Sequence, residues 1–235
     1  MKKMLAFFTA AMCCFGMFVS CGRQENDDTE KSAASESSAA PATEVKEESQ
    51  NENSGEEYVD VFRTFFIGGA PDKMLEASLP DVVTESMKNI GGTDIISETV
   101  ASSVAQSMSA VPVMDAETIG YISERECTPE FRSKLEKLYS AYYGVYKAMD
   151  DNGISYNDYI AGKVDGNHMN ILSEALGRYG SICAGEETDV ELTIRFEDVR
   201  LVTFSMGGES AEFLMYKIKG ENWKLDTIGL AVFEY

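Results

Sequence analysis

Residues 190–225, "VELTIRFEDVRLVTFSMGGESAEFLMYKIKGENWKL", carry the clearest strand pattern of this chain. Apolar and polar residues alternate through "VELTIRF" and again through "VTFSM", which is the two-residue period of a strand. Gly207 and Gly208 then predict a tight turn. The following "EFLMYKIK" is apolar on both faces, as in a central strand, and "GEN" predicts another turn before "WKL". The whole stretch therefore predicts an antiparallel meander.

The residues before this stretch follow a helical period instead. The clearest helix is "TPEFRSKLEKLYSAYYGVYKAMDDNG", in which Thr128 is a suitable cap, Pro129 suits the first helical position and Gly153 ends the run. Its apolar stripe is predicted to pack in the core and consists of Phe131, Leu135, Leu138, Tyr142, Val145 and Met149. Shorter helices are predicted over 58–66, over 71–79, within "LPDVVTESMKNIGG" at 79–92 and over 93–108, and a further strand in "AETIGYISEREC" at 116–127.

Helices first and an antiparallel meander last predict the α+β class. We expect N-terminal helices packed on one face of a curved antiparallel sheet, which the C-terminal third mainly forms. The segment "EFLMYKIKGENWKLDTIG" resembles the terminal hairpin of NTF2-like and cystatin-like domains in small bacterial lipoproteins, whose turn is followed by a Trp-Lys pair. Here these positions are Gly220, Trp223 and Lys224. The resemblance implies a helix-on-sheet shell that encloses a mainly apolar cleft.

The first 20 residues have the composition of a secretory signal peptide. Lys2 and Lys3 precede an uncharged run, "MLAFFTAAMCCFGMFV", and Ser20 is a small residue at its end. A permanent membrane span needs about 20 apolar residues, so this run would be a marginal one. An ordinary cleaved signal and an uncleaved anchor remain as alternatives to the interpretation that follows.

"FVSCG", residues 18–22, resembles the lipobox of bacterial lipoproteins. The resemblance implies that the Cys21 sulfur receives a diacylglyceryl group, that the signal is cut just before Cys21, and that the new amino terminus is acylated. Phe18 stands where leucine is usual, whereas Val19, Ser20 and Gly22 fit the pattern. We therefore expect a protein anchored to the cell membrane by lipid and facing outside the cytoplasm.

Composition divides the remainder into a linker at 21–57 and a globular domain at 58–235. Residues 22–57 contain 11 acidic and 3 basic side chains and no aromatic residue, which predicts a disordered tether. An acidic interaction tail is the alternative. Residues 58–235 carry 29 acidic and 15 basic side chains, a net −14. This charge argues against a nucleic-acid partner and against surface docking on anionic lipid.

The tyrosines of the long helix are the candidate contact residues. Tyr139, Tyr143 and Tyr146 form a second stripe beside Tyr142. Tyrosine combines apolar area with a polar tip and suits a binding surface. We expect these four residues to contact a ligand or partner at the rim of the cleft. Packing at the core boundary is the alternative.

Cys127 and Cys183 are the only other cysteines that follow the predicted signal. The oxidising compartment that a secretory signal implies favours a disulfide between them, and two buried free thiols are the alternative. Cys127 precedes a helix N-terminus that would favour a thiolate, which makes a Cys–His pair with His168 conceivable. His168 is the only histidine and lies in the turn-like "DGNHMN".

No P-loop, GxGxxG, nucleophile elbow or calcium loop occurs in the sequence. We therefore predict no catalytic residues, no metal site and no cofactor. The predicted function is a non-catalytic domain that binds an envelope protein, a glycan or a small ligand. The alternative is an extracytoplasmic enzyme that uses the pocket of an NTF2-like cone.

Overall fold

The computed structural model describes residues 52–66, 70–108 and 118–229. The helices are α1 (Glu52–Phe66), α2 (Pro71–Ser78), α3 (Asp81–Asn89), α4 (Thr93–Met108), α5 (Pro129–Asp151), α6 (Tyr156–Ile160) and α7 (Gly166–Cys183). The strands are β1 (Ile119–Glu126), β2 (Phe196–Met206), β3 (Glu209–Ile218) and β4 (Trp223–Leu225). The predicted α+β class is confirmed. The predicted signal peptide, Cys21 and most of the predicted linker lie outside the described residues.

The strands form one antiparallel sheet in the order β1-β2-β3-β4. The predicted turn joins β2 to β3, with Gly207 and Gly208 at φ 58° and 94°, a backbone region that favours glycine. β1 pairs with the other side of β2, and its register shifts between Tyr121 and Ser123. The meander from β2 to β4 is thus the one that the sequence predicts, and β1 extends it at one edge.

Apolar side chains cover both faces of this sheet. On one face Leu201, Leu214 and Tyr216 pack with the buried stripe of α5. On the other face Phe204 and Met215 pack with α1 and β4. Helices therefore lie against both faces of the sheet, whereas the sequence predicts helices on one face. The reason is that β3 has apolar side chains on both faces, and both are buried.

Helix α1 provides the cover on the second face. The centroid of the Phe62 ring lies 4.7 Å from the ring centroid of Phe204 and 4.8 Å from that of Phe213. Tyr58 and Phe62 are 1% and 0% exposed, so this face of α1 belongs to the core. The helix begins at Glu52 and so includes residues that the sequence analysis assigned to the linker. Helix α1 therefore begins before residue 58, the boundary that composition predicts.

Residues 190–195 are not a strand, although their alternation predicted one. The burial does alternate, since Ile194 and Phe196 are 2% and 5% exposed. Their backbone N–H groups donate to side chains of α5, however: Ile194 to Ser140 Oγ at 3.0 Å and Phe196 to Glu136 Oε1 at 3.0 Å. The segment packs on a helix surface, where polar side chains take the place of a neighbouring strand.

Helix α7 was not predicted. It contains Gly166, Gly177 and Gly180, and each interior glycine disfavours a helix by about 1 kcal/mol relative to alanine. Burial against α5 compensates, because Leu172 and Tyr179 both join the core. His168 therefore lies in the first turn of a helix and not in the turn that the sequence suggested.

Candidate functional site

A groove of about 410 Å³ lies between α1, α2 and the turn that joins β3 to β4. Its lining combines charged, polar and apolar side chains and consists of Glu57, Asp60, Val61, Thr64, Lys73, Glu76, Ala77, Lys217, Asn222 and Trp223. This volume falls within the range of small-ligand sites in proteins. We call this feature the groove.

The α1 wall of the groove is acidic. Glu57, Asp60, Val61 and Thr64 follow the spacing that places residues on one face of a helix. Glu57 and Asp60 are exposed, and neither forms an ion pair within the described part of the chain. The same helix is anchored by its buried aromatic stripe, so the wall is a rigid element.

Two lysines also line the groove, Lys73 from α2 and Lys217 from β3. Lys73 donates to Glu76 at 2.8 Å, and both side chains are solvent-accessible. Lys217 Nζ lies 5.8 Å from the centroid of the Trp223 ring, a cation–π contact. Trp223 is buried and packs edge-on against Tyr58, with ring centroids 4.8 Å apart. The indole thus links the two walls.

Lys224 holds together the corner beside the groove. Its buried ammonium donates to the Asp81 carboxylate at 2.8 Å and to the Glu76 backbone carbonyl at 2.9 Å. It also lies 3.3 Å from the carboxylate of Glu221. Burial raises the pKa of Glu221 above its usual value, although the ammonium group of Lys224 acts in the opposite direction. In the Trp-Lys pair, Trp223 therefore lines the groove while Lys224 fixes α2 and α3 to the hairpin.

The four candidate tyrosines do not line the groove, and Tyr139 is not a surface residue. Tyr139 is 0% exposed and donates to Asp226 Oδ1 at 2.7 Å, so it packs in the core, and its role as a contact residue stays a prediction. Burial raises its pKa well above the usual value. Its position on α5 faces the sheet, where its ring meets Tyr216 at 4.9 Å.

The other three tyrosines lie nearer the surface of the α5–α7 layer. The hydroxyls of Tyr142 and Tyr146 are 3.1 Å apart, and the Tyr142 ring is 5.5 Å from that of Tyr179. Tyr146 is buried, whereas Tyr142 and Tyr143 are half-buried. Their arrangement matches the alternative of packing at the core boundary more closely than a pocket rim.

Cys127 and Cys183 are free thiols in the structure, as in the alternative to the disulfide. Both are half-buried against the core. Burial raises the pKa of Cys127 to about 11, so the thiolate expected beside a helix N-terminus is disfavoured. Burial also raises the pKa of Cys183, although a hydrogen bond with the Tyr179 side chain partly offsets this increase.

His168 meets a carboxylate, but at a helix cap. Its Nδ1 lies 2.6 Å from Asp165 Oδ2, while Asp165 Oδ1 accepts the backbone N–H groups of His168 and Asn167. These hydrogen bonds lower the pKa of Asp165, the backbone bond from His168 most of all. Both side chains are largely exposed, so the pair is explained by the capping of α7.

Comparison with known proteins finds no matching family model, no matching curated protein and no matching solved structure. Within residues 52–66, 70–108 and 118–229, no helix is long and apolar enough to cross a membrane. The same residues contain no group of three or more His, Cys, Asp or Glu side chains placed to hold a metal ion.

The groove was missed because its walls are far apart in the sequence. The spacing of Glu57, Asp60 and Thr64 beside an aromatic stripe marks a solvent-facing side of α1, which is ordinary for a surface helix. Nothing local connects this face to Lys217 or Trp223. Only the packing of α1 across the sheet brings them together.

Proposed function

We propose that this chain is a lipid-anchored protein on the outer side of a bacterial membrane and that its domain binds a ligand or partner without catalysis. The observation that carries the proposal is Cys21, which follows the uncharged run from Met4 to Val19 and a small residue. Each buried methylene contributes about 0.8 kcal/mol, and stable anchoring takes two acyl chains where one is marginal. A diacylglyceryl group on Cys21 meets that requirement.

The charge of the domain supports anchoring through lipid rather than through the protein surface. Residues 58–235 carry a net −14, and an anionic membrane surface repels such a domain. The acyl chains would then supply all of the membrane affinity, and the domain would stay in solvent. An exposed binding surface is useful in that position.

The groove supports the binding part of the proposal. It is open to solvent, it has the volume of a small-ligand site, and Lys224 and the aromatic stripe of α1 hold its walls in place. Fixed walls lower the entropic cost of binding, because the site is ordered before the ligand arrives.

The experiment that tests the anchor is the substitution Cys21→Ala in the full chain. We expect the unchanged protein to incorporate labelled palmitate and to fractionate with membranes. Cys21→Ala should lose the label and either leave the membrane fraction or keep the uncut signal. The matched control is Cys14→Ala, which removes a thiol from the signal region and should change neither result. Unlabelled Cys21→Ala protein of mature size in the membrane fraction would contradict the proposal.

A further inference from the structure

We infer that the groove binds a zwitterionic ligand of the size of a short peptide, with its ammonium group at the α1 wall and its carboxylate at Lys217. The inference rests on the proposed binding function and names the chemical class of its ligand.

The charges that the groove leaves without a partner have opposite signs on different elements, α1 and β3. Glu57 and Asp60, on α1, form no ion pair with any residue that the structure describes. Of the two lysines in the lining, Lys73 is already paired with Glu76 at 2.8 Å. Among the described residues, the ammonium group of Lys217 contacts only the ring of Trp223. Its positive charge is therefore not matched by a carboxylate there.

A ligand of a single charge would satisfy only half of this arrangement. A simple anion would meet Lys217 but would face the carboxylates of Glu57 and Asp60 and the net −14 of residues 58–235. A simple cation would meet the α1 wall but would face Lys217. A zwitterion carries no net charge, and it can place its ammonium group at Glu57 and Asp60 and its carboxylate at Lys217. Both contacts are then charge-assisted hydrogen bonds, which are stronger than those between neutral groups.

The remaining lining suits the middle of a peptide. Asn222 has an exposed amide that offers both donors and an acceptor, which matches the donor and acceptor of a peptide group. Trp223 supplies apolar area between the walls. A volume of about 410 Å³ accommodates a small molecule and not a folded partner.

The test is calorimetric titration of the mature full chain in detergent micelles with alanine peptides. The probes are alanine, alanyl-alanine and trialanine, together with the N-acetyl derivative and the C-terminal amide of alanyl-alanine. We expect at least one of the zwitterionic probes to bind, and the length that binds best measures the separation of the walls. Each blocked derivative should bind about tenfold more weakly than its parent, the effect of losing one charged contact of about 1.4 kcal/mol.

Two variants locate the effect in the groove. Lys217→Gln should weaken the binding of the parent peptide about tenfold and abolish the preference over its amide. Asp60→Asn combined with Glu57→Gln should abolish the preference over the N-acetyl derivative. The matched controls are Lys219→Gln and Glu85→Gln, which change exposed charges outside the groove and should leave binding unchanged. An unchanged thermal midpoint in each variant shows that the fold is intact.

Three results would overturn the inference. The first is the absence of a binding heat for every probe at millimolar concentration. The second is equal affinity for blocked and unblocked peptides. The third is unchanged affinity in both groove variants. Tight binding of the amide alone would assign the groove to cations instead. None of these results alters the membrane fractionation of Cys21→Ala, so failure of the ligand class and failure of the anchor are distinguishable.

Discussion

At the residue scale, Cys127 shows how burial decides the chemistry of a side chain. The thiol lies beside the start of α5, a position that by itself favours the thiolate. Removal from water outweighs this effect, and the pKa rises from 9.0 to about 11. Because the folded-state pKa is the higher one, the stabilising contribution of the neutral thiol is complete below about pH 9. It is lost as the pH rises through about 11.

The raised pKa predicts slow alkylation of Cys127 in the native protein. At pH 8 the shift lowers the thiolate fraction about a hundredfold relative to an unfolded chain, and the thiolate is the reacting species. Alkylation by iodoacetamide, followed by mass spectrometry in a Cys183→Ser background, should therefore be slow until the protein is unfolded. Fast native alkylation at pH 8 would contradict the burial of this thiol.

The same measurement on the unchanged protein tests the disulfide. Two alkylated cysteines after unfolding without reductant correspond to the free thiols of the structure. If unfolding exposes no thiol until a reductant is added, Cys127 and Cys183 are bridged in the cell envelope and the free-thiol state is wrong.

At the scale of elements, residues 190–196 show a strand pattern used for a different purpose. The alternation buries Ile194 and Phe196, yet residues 190–195 lie outside β2, and Ile194 is hydrogen-bonded to Ser140 of α5. Ser140 and Glu136 accept the backbone N–H groups that a neighbouring strand would otherwise take. A helix that presents polar acceptors in its buried face can therefore hold an extended segment without a ladder.

We predict that Ser140→Ala loosens this segment. The change leaves the buried N–H of Ile194 without an acceptor, which costs about 1–3 kcal/mol. The measurements are the free energy of unfolding in urea and the hydrogen exchange of the Ile194 amide, which should become faster. Ser133→Ala, on the exposed side of the same helix, is the matched control and should change neither. Unchanged protection of Ile194 in Ser140→Ala would show that the hydrogen bond is not what holds the segment.

At the scale of the whole molecule, the domain is a sheet between two helical layers. Helix α1 forms part of one layer and begins within the predicted tether, at Glu52. Its aromatic residues pack on β2 and β3, so the element nearest the anchor is also part of the core. The groove lies along this helix, and a ligand there would be held close to the point where the domain is attached.

The start of α1 predicts the boundary of the protease-resistant domain. A glutamate-specific protease should cleave the mature protein after Glu47 and Glu48, in the predicted linker, but not after Glu56 and Glu57, which lie inside α1. Mass spectrometry of the trimmed fragment checks its first residue. The control digestion, in urea, should cleave all four sites. A stable fragment that begins at Tyr58 would restore the boundary predicted from composition.

Features that depend on neighbours along the chain can be predicted from the amino-acid sequence alone. Helices α1 to α5 follow from apolar spacing, caps such as Thr128 and stops such as Gly153, and β2 and β3 follow from alternation and the Gly207-Gly208 turn. The N-terminal signal pattern is local in the same way. In each case the information lies within one element, so no tertiary contact is needed to predict it.

Features that depend on distant contacts follow from the folded chain and not from any local pattern. Helix α7 forms despite its glycines because α5 buries Leu172 and Tyr179. Tyr139 becomes a core residue because Asp226 lies opposite its hydroxyl. The groove exists because α1 crosses the sheet towards Trp223. Each outcome depends on which surfaces meet after folding, and the free energy of those contacts exceeds the local preferences that the sequence displays.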